Sequence, residues 1–533
     1  MAHFRFVLLA CLLVLASVAG AVAVEADESA PKDDPHPTFA SVVANPLAED
    51  DRGEYVAVTV SEGTNLSAYT LDDGEERLRL PAVNATGTVM LTAHPEAVRR
   101  PGNRSLVAVS LPRLSNSGER LRLRRDGETV ESLAYETAPE AEVYVGGTWR
   151  PVGATDYPVA RGESGEARGF VLPDAPAAAL APIEQADERV LLAGYTLTSR
   201  RVTDALVRAH GRGARVRVLL EGGPVGGIAS EQAARLNRLA AAGVDVRVVD
   251  GPGTRYRYHQ AKYVVADDRA TVLTENWKPS GVGGTSSRGW GVTVADGTVV
   301  GRLAETFTGD FQYGAATRWA EFREGETFTD ESSVSGSFRS RTAAATLDYE
   351  SVSLLTAPDN AESEVIRRIE RAESSVRVLQ MSVGGVYQSL VAATVKAARR
   401  GVEVRILLSS AWYVEAENRR VVNRLNHIGE REGLSLTARL ASPQGYGKIH
   451  AKGVVVDETV ILGSMNWNDN SARENREVLL ALSGAAVSGY YRDVFDRDWR
   501  ASGGGGERPV GLLAVLGALA VGCLLAARRL QFE

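Results

Sequence analysis

The carboxyl-terminal half of the chain carries residue types suited to phosphate chemistry at short spacings. His450 and Lys452 are separated by one residue, and Asp457, Ser464 and Asn466 follow soon after them. Residues two apart in an extended strand point to the same face, so the imidazole and the ammonium can contact one ligand. An imidazole can attack phosphorus, an ammonium can neutralise a phosphodiester, and an asparagine amide can donate to a phosphoryl oxygen. The pattern predicts chemistry on a phosphodiester, without a metal ion or other cofactor.

A second version of this pattern lies about 190 residues earlier in the chain. The positions that match are Ala261 and Ala451, Lys262 and Lys452, Val264 and Val454, Asp267 and Asp457, Asn276 and Asn466, and Trp277 and Trp467. A duplicated unit is the simplest interpretation. The chain has six lysines, and two of them stand at equivalent positions of the repeat.

The first copy departs from the second at the histidine position. Gln260 aligns with His450, and His259 stands one residue earlier, where an ideal strand turns it to the face opposite Lys262. The residues from Tyr256 to His259 are unlike a regular strand, so a local bulge could re-aim His259 toward the lysine. We therefore hypothesise that a displaced His259 acts as the second histidine of the site.

The intact motif of the second copy, His-x-Lys-x4-Asp followed by Gly463-Ser464-x-Asn466, resembles the phospholipase D superfamily from about residue 170 to residue 500. The resemblance implies a phosphohistidine intermediate on His450. It also implies that a late carboxylate orients the histidine of the opposite unit. Glu477 would then face the first-unit site, whereas Gly291 or a neighbour aligns with it in the first unit and leaves His450 without an evident partner.

The candidate site residues follow from the motif and the resemblance together. The candidate catalytic residues are His450, Lys452, Asp457, His259, Lys262 and Asp267, and the candidate substrate-binding residues are Asn466, Ser464, Asn276 and Glu477. We expect the two aspartates to brace their loops rather than to touch the substrate.

Strand and helix patterns alternate within each copy of the repeat. Residues 189–197 are typical of a buried strand, and the helix pattern that follows carries Val202, Ala205, Leu206 and Ala209 on one face. Such alternation predicts mainly parallel sheets with flanking helices. We expect two α/β units, at residues 168–320 and 350–500, that pack as a pseudo-dimer.

Residues 37–153 show short alternating strands separated by turn clusters, a pattern typical of an all-β sandwich. The residues 44–47, 54–56 and 65–74 resemble the lamin-tail domain, an immunoglobulin-like sandwich whose usual role is binding or spacing. Three glycosylation sequons, at Asn65, Asn84 and Asn103, lie in this segment. We predict N-glycans on them, because three sequons in one exported domain exceed a chance match.

The two ends of the chain have the composition of targeting segments. Residues 1–23 resemble a secretory signal peptide, with an uncleaved anchor as the alternative. The predicted span, residues 509–528, contains eighteen uncharged residues from Val510 to Ala527, just enough for one transmembrane helix, and these are followed by Arg528 and Arg529. A sorting tail that is cut off is the alternative. We expect an exported protein, held at the cell membrane by a single span, with its body on the extracellular side.

Composition excludes several classes of protein. The 533 residues carry a net charge of −7, which argues against a strongly basic nucleic-acid coat protein. The two cysteines, Cys11 and Cys523, both lie in the apolar ends, so the body has neither a disulfide framework nor a cysteine metal site.

Three functions remain open on the sequence. The first is a phosphodiesterase or phosphatidyltransferase at the outer membrane surface, and an extracellular nuclease is the alternative substrate choice. The second is a decayed protein that binds phosphodiesters without turnover. The third is a structural scaffold, which the paired lysines disfavour.

Overall fold

The structure, a computed structural model, describes residues 36–83, 86–99, 104–251, 253–330 and 336–503. The predicted signal peptide at residues 1–23, the predicted span at residues 509–528, and the sequons at Asn84 and Asn103 lie outside these ranges. Within the described ranges, no helix combines the length and the apolar character needed to cross a membrane.

The amino-terminal domain is built from two sheets. Its strands are β1 (Thr38–Val43), β2 (Tyr55–Val60), β3 (Tyr69–Asp72), β4 (Arg77–Arg79), β5 (Gly87–Thr92), β6 (Ser105–Ala108), β7 (Glu119–Arg125), β8 (Glu128–Tyr135), β9 (Glu142–Val145) and β10 (Thr148–Pro151), with short 3₁₀ helices at Glu49–Asp51 and Leu66–Ala68. The strand orders are β10-β9-β1-β2-β5-β6 and β4-β3-β7-β8. In β7, Leu121 and Leu123 are buried in the shared core, while the residues that alternate with them are partly or fully exposed.

The prediction of an all-β amino-terminal domain is confirmed, whereas the resemblance to the lamin-tail domain stays a prediction. Asn65 is exposed, and its side-chain oxygen accepts a hydrogen bond from the backbone N–H of Ser67 at 3.0 Å. Its glycosylation also stays a prediction.

The first repeat unit contains β12 to β19. The elements of this part of the chain are β11 (Ala160–Gly162), β12 (Gly165–Leu172), α1 (Pro176–Gln185), β13 (Arg189–Gly194), α2 (Arg200–Gly211), β14 (Arg215–Glu221), α3 (Ser230–Ala241), β15 (Asp245–Val249), β16 (Tyr263–Ala266), β17 (Arg269–Leu273), β18 (Ser287–Val294), α4 (Gly297–Phe311), β19 (Ala316–Arg318) and α5 (Trp319–Phe322). The sheet runs in the order β19-β15-β14-β13-β16-β17-β18-β12, with one further strand beyond β12.

The second unit repeats this order. Its elements are β20 (Ala345–Tyr349), β21 (Ser351–Ala357), α6 (Ala361–Glu370), β22 (Ser375–Gln380), α7 (Ser389–Arg399), β23 (Glu403–Leu408), α8 (Glu415–Glu432), β24 (Leu436–Leu440), β25 (Lys448–Ile449), β26 (Lys452–Val456), β27 (Thr459–Gly463), α9 (Asp469–Arg473), β28 (Glu477–Ser483) and α10 (Ala485–Ala501). The sheet order is β11-β21-β28-β27-β26-β22-β23-β24. The duplicated fold predicted from the repeat is therefore present.

The prediction of mainly parallel sheets is corrected to mixed sheets. Within the two sheets, β13-β14-β15 and β22-β23-β24 run parallel, as does the short pairing of β25 with β18, and the other described neighbours are antiparallel. The reason lies in two-residue turns, Asp267-Asp268 and Asp457-Glu458, which join β16 to β17 and β26 to β27. So short a connection can join only antiparallel strands. Asp267 and Asp457 have φ angles of 50° and 48°, the left-handed conformation that such turns require.

The two units exchange edge strands. β11 precedes the first unit in sequence, yet it pairs with β21 of the second sheet. β20, the first strand of the second unit, pairs instead with β12 of the first sheet. Each unit therefore completes the sheet of the other, which fits the predicted pseudo-dimer.

A buried arginine in each unit also joins the two units. The Arg476 guanidinium contacts Asp359 of its own unit at 2.9 Å and Asp310, on α4 of the first unit, at 2.9 Å. The ring of Tyr256, also in the first unit, lies 4.4 Å from it. Burial of the guanidinium is tolerated because the carboxylates beside it compensate its charge.

Arg288 makes the equivalent contacts in the opposite direction. It binds Asp174 of its own unit at 2.6 Å and Asp498, on α10 of the second unit, at 3.0 Å. Tyr446 of the second unit lies with its ring centroid 4.6 Å from the guanidinium. The two clusters fix how the units face each other.

Candidate active site

The two lysines of the repeat occupy equivalent places. Lys452 begins β26 and Lys262 directly precedes β16, and both are almost fully buried. Lys452 Nζ donates to the backbone oxygen of His450 at 2.7 Å, and Lys262 Nζ donates to the backbone oxygen of Gln260 at 2.6 Å. Gln260 therefore takes the place of a histidine in the first unit.

The two lysine ammonium groups are close enough to influence each other. Burial is the largest cause that lowers the pKa of Lys452, to about 7, and the ammonium of Lys262 is the next. Glu275 and Glu477 act on the same ammonium in the opposite direction. The space bounded by Lys262, Lys452, His450, Glu275 and Glu477 is called the cleft below.

His450 is held by a carboxylate that the sequence did not point to. Its Nδ1 atom lies 3.2 Å from Oε2 of Glu275, in the first unit, and its side chain is 17% exposed. A carboxylate only accepts, so we assign the proton to Nδ1 and the lone pair to Nε2, which lies 3.5 Å from Lys452 Nζ. Burial and then Lys452 lower the pKa of His450 to about 4, although Glu275 raises it in part. The imidazole is therefore neutral at pH 7 and available as a nucleophile.

Glu275 occupies the space of a side chain missing from the neighbouring strand. Trp290 N bonds Thr274 Oγ1 at 2.9 Å, as Val478 N bonds Ser464 Oγ at 3.0 Å, so Gly289 is the counterpart of Glu477. A Cβ atom added to Gly289 would overlap the Glu275 side chain. The carboxylate that serves His450 thus comes from the loop after β17 rather than from β18. Its only sequence signal is a glutamate beside Asn276, which the motif alignment does not single out.

Glu477 lies on the other side of the cleft, facing Lys262. Burial raises the pKa of Glu477, and Lys262 is the largest influence that lowers it. Its Oε1 atom accepts a hydrogen bond from Asn475 Nδ2 at 3.2 Å, and its Oε2 atom has no partner among the described residues. Ser464 is fully buried behind it, with Oγ bound to the backbone of Val478. Ser464 therefore supports Glu477, and its role in substrate binding stays a prediction.

The structure corrects the hypothesis for His259. Its side chain is 0% exposed, and Nε2 lies 3.4 Å from Asp310 Oδ2, within the cluster around Arg476. Its backbone N–H donates to Glu221 Oε2 at 2.6 Å. No bulge turns it toward Lys262, because it occupies the core-facing position that Ile449 fills in the second unit. The described cleft therefore contains one histidine.

The two aspartates of the motif lie away from the cleft. Asp457 follows the far end of β26, five residues from Lys452, which is about 16 Å along a strand. Its carboxylate accepts the backbone N–H groups of residues 373–375 at 2.8 to 3.0 Å. Asp267 does the same for residues 187–189 at 2.9 to 3.0 Å. Both brace the loop before a central strand, as we expected, and neither belongs in the catalytic set.

The two asparagines sit on loops held by the tryptophans that follow them. Trp277 Nε1 donates to the backbone oxygen of Ala193 at 2.9 Å, and the backbone oxygen of Trp467 accepts from Gly384 N at 2.7 Å. The amide oxygens of Asn276 and Asn466 are buried and have no partner in the described part of the chain. Both amide oxygens therefore retain the capacity to accept a hydrogen bond from a ligand.

The cleft offers a nucleophile and positive charge without a metal cage. In the described ranges, no group of three or more His, Cys, Asp and Glu side chains is placed to hold a metal ion. The neutral imidazole can attack the phosphorus of a phosphodiester. The two lysines and the two asparagine amides can stabilise its negatively charged oxygens.

Comparison with known proteins agrees with this arrangement. The family model described as "Cardiolipin synthase, PLD-like domain" matches residues 180–311 and 365–499. Mitochondrial cardiolipin hydrolase of Xenopus tropicalis is 27% identical over 143 residues, and that of Xenopus laevis is 28% identical over 142 residues. These alignments cover 27% and 26% of this chain, and 62% of each relative's length.

Solved structures with a similar course of the chain include two from bacteria. Phosphatidylserine synthase from Haemophilus influenzae matches with a TM-score of 0.47 at 13% identity, covering 64% of this chain and 86% of its own. Nuc, a phospholipase D family member from Salmonella typhimurium, matches with a TM-score of 0.26 at 16% identity, covering 29% of this chain and 98% of its own.

The two matches of the family model coincide with the two units of the fold and together span half of the chain. The protein therefore belongs to the phospholipase D superfamily, with both units in one chain.

Proposed function

We propose that this protein is a phosphodiesterase that uses His450 as its nucleophile and works with a single histidine. The observation that carries the proposal is the contact of His450 Nδ1 with Glu275, made beside two buried lysines from the two units. A scaffold would gain nothing from burying these charges together, since each costs free energy on removal from water.

In the first step, His450 Nε2 attacks the phosphorus, and the bond from phosphorus to the leaving oxygen breaks. The product is a phosphohistidine. Lys262, Lys452 and the amides of Asn276 and Asn466 supply positive charge and donors to the phosphoryl oxygens. The carboxylate of Glu275 balances the positive charge that develops on the imidazole.

The leaving alkoxide needs a proton, and the Gln260 amide cannot act as an acid in place of a histidine. Lys452 meets this need, because a pKa of about 7 lets an ammonium donate near neutral pH. In the second step, water attacks the phosphorus and passes a proton to the Lys452 amine. The phosphorus–nitrogen bond then breaks and returns His450. An alcohol in place of water would give transfer rather than hydrolysis.

A phospholipid or a nucleic acid could supply the phosphodiester. The relatives named cardiolipin hydrolase and the family model named for cardiolipin synthase support a phospholipid. An extracellular nuclease is the alternative. A binding protein without turnover is a second candidate function, favoured by Gln260 in place of the second histidine.

We also propose that the protein is exported and held at the outer membrane surface, with the amino-terminal sandwich as a lamin-tail-like binding or spacing domain. The composition of residues 1–23 and 509–528 supports this location.

The first prediction separates the two histidines. We expect His450→Asn to reduce turnover of a soluble chromogenic phosphodiester by roughly 10⁴-fold or more, because the nucleophile is lost. His259→Asn should keep at least about a third of the turnover per folded molecule, because that ring faces the core. Steady-state kinetics with a chelator present, and thermal unfolding of each variant, provide the measurement. Equal losses in both variants would contradict the one-histidine mechanism, and no turnover in the parent protein would favour the binding function.

The second prediction concerns proton transfer by Lys452. Lys452→Arg keeps the charge, but a guanidinium does not release its proton. We expect kcat/KM to fall about 100-fold for a diester with an alkyl alcohol leaving group, and less than about tenfold for one with nitrophenolate, which leaves unprotonated. Lys262→Arg is the matched control and should affect both substrates alike. If Lys452→Arg also affects both alike, Lys452 is not the proton donor.

The third prediction concerns Glu275. We expect Glu275→Gln to lower kcat about 100-fold, because His450 loses its orientation and charge balance. In the pH profile of this variant, the acid-side pKa should fall below about 4, because the carboxylate charge that raises the pKa of His450 is gone. As a rescue test, Glu275→Ala combined with Gly289→Glu should recover at least about tenfold over Glu275→Ala alone. An unmoved acid limb and no rescue would mean that Glu275 is only structural.

A further inference from the structure

Large hydrophobic side chains are exposed on three loops of the catalytic units. Trp412 is 87% exposed, Tyr387 85% and Val225 77%, and Tyr413 is exposed beside Trp412. In the described ranges, the one other exposed large hydrophobic side chain is Phe328, which packs 5.9 Å from the ring of Trp319. The exposure is therefore concentrated on residues 222–229, 381–388 and 409–414, which we call the rim loops.

The strand register places the rim loops at the cleft. Residues 381–388 follow Gln380, the last residue of β22, which pairs directly with Lys452. Residues 409–414 follow Leu408, which pairs with Gln380 on the other side. In the first unit, residues 222–229 follow β14, whose Leu220 pairs with Gly194 at the end of β13. The carboxyl ends of these parallel strands form one edge, where ligands bind in such sheets.

Side-chain contacts connect the rim loops to both halves of the site. The ring of Tyr413 lies 5.1 Å from Nζ of Lys448, two residues before His450. In the first unit, Val225 N donates to the hydroxyl of Tyr195 at 2.6 Å. The ring of Tyr195 lies 5.8 Å from Nζ of Lys262. The exposed side chains therefore flank the cleft from two sides.

The rim loops contain no charged residue. Their sequences are Gly-Gly-Pro-Val-Gly-Gly-Ile-Ala, Met-Ser-Val-Gly-Gly-Val-Tyr-Gln and Ser-Ser-Ala-Trp-Tyr-Val. Charged residues make up 24% of the chain, so a stretch of 22 residues would carry about five of them at the average rate. The rim loops therefore cannot form ion pairs with a partner. This indicates a partner whose contact with them does not depend on ion pairs.

This chemistry fits a bilayer better than a nucleic acid. Single-stranded nucleic acid is bound by aromatic platforms interleaved with a positive groove, and phosphate contacts require Lys or Arg. The rim loops themselves carry no cation, although Lys448 lies beside Tyr413, and the exposed Val225 offers no face on which a base can stack. Tryptophan and tyrosine with small and aliphatic neighbours are instead the residues that settle at the headgroup level of a membrane.

We infer that the rim loops dock the mouth of the cleft onto a phospholipid bilayer, so that the enzyme takes its substrate from the membrane surface. This inference rests on the proposed function and deepens it by naming a phospholipid headgroup diester as the substrate class. Three loops from the two units would contact the bilayer around the cleft. This contact would place the cleft opening at the headgroup layer.

Fluorescence quenching tests the docking without relying on turnover. The full chain is reconstituted in phosphatidylcholine vesicles that carry bromine near the headgroup, and Trp412→Phe is the matched variant. We expect the parent to show quenching that Trp412→Phe lacks, because Trp412 is the most exposed of the tryptophans in the described ranges. Equal quenching in the two proteins would overturn the inference.

Kinetics test the consequence for the substrate. The variant Val225→Ser/Tyr387→Ser/Trp412→Ser should raise the apparent KM for vesicle phospholipid at least tenfold and leave kcat/KM for a soluble diester within twofold. An unchanged KM on vesicles, or equal loss on both substrates, would overturn the inference.

A single-stranded oligonucleotide serves as the third substrate. If the triple variant loses activity on the oligonucleotide and keeps it on vesicles, the rim loops stack bases and the inference is wrong. If the parent turns over no substrate while Trp412 is still quenched by brominated lipid, the docking stands and the proposed function fails.

Discussion

The buried arginines Arg288 and Arg476 are the interaction on which the rest of the site depends. Each guanidinium binds one aspartate from its own unit and one from the other, so its buried partners come from both units. The backbone oxygens of the same arginines accept the N–H groups of His450 and Gln260, each at 3.0 Å. The contact that joins the units therefore also places the nucleophile and its counterpart. Loss of the aspartate from the opposite unit would remove the ion pair between the units and loosen the cleft as well as the interface.

The pseudo-twofold frame is symmetric, but the chemistry on it is not. Glu477 has a lysine to face and no histidine, whereas His450 receives its carboxylate from Glu275 on a different loop. Gly289 makes room for that carboxylate, and Gln260 removes the second titratable ring. Catalytic roles are thereby concentrated on one histidine, with a lysine of lowered pKa available for proton transfer. An uncharged rim around the same opening suits a substrate presented at a membrane surface.

Much of this could be predicted from the sequence, because it depends on local periodicity. The repeat, the shared face of His450 and Lys452, and the alternation in β7 all follow from a period of two along a strand. The bracing role of Asp457 was predictable for the same reason, since it lies at the far end of the strand that begins with Lys452.

What the sequence could not give depends on register between strands. Glu275 reaches His450 only because Gly289, on the neighbouring strand, lacks a side chain, and no motif offset encodes that vacancy. The bulge hypothesis for His259 failed because the core around Asp310 already has a place for the imidazole. The mixed sheet was missed because two-residue turns at Asp267 and Asp457 escape a pattern read as strand and helix alternation.

A covalent phosphohistidine on His450 alone distinguishes this mechanism from one that uses two histidines. To detect it, the full-length protein is quenched in alkali during turnover of a phosphodiester labelled on phosphorus, and the label is located by peptide mass spectrometry. Phosphohistidine survives alkali, so we expect the label on His450 and none on His259. A label on His259, or no covalent adduct while the substrate is being consumed, would contradict this mechanism.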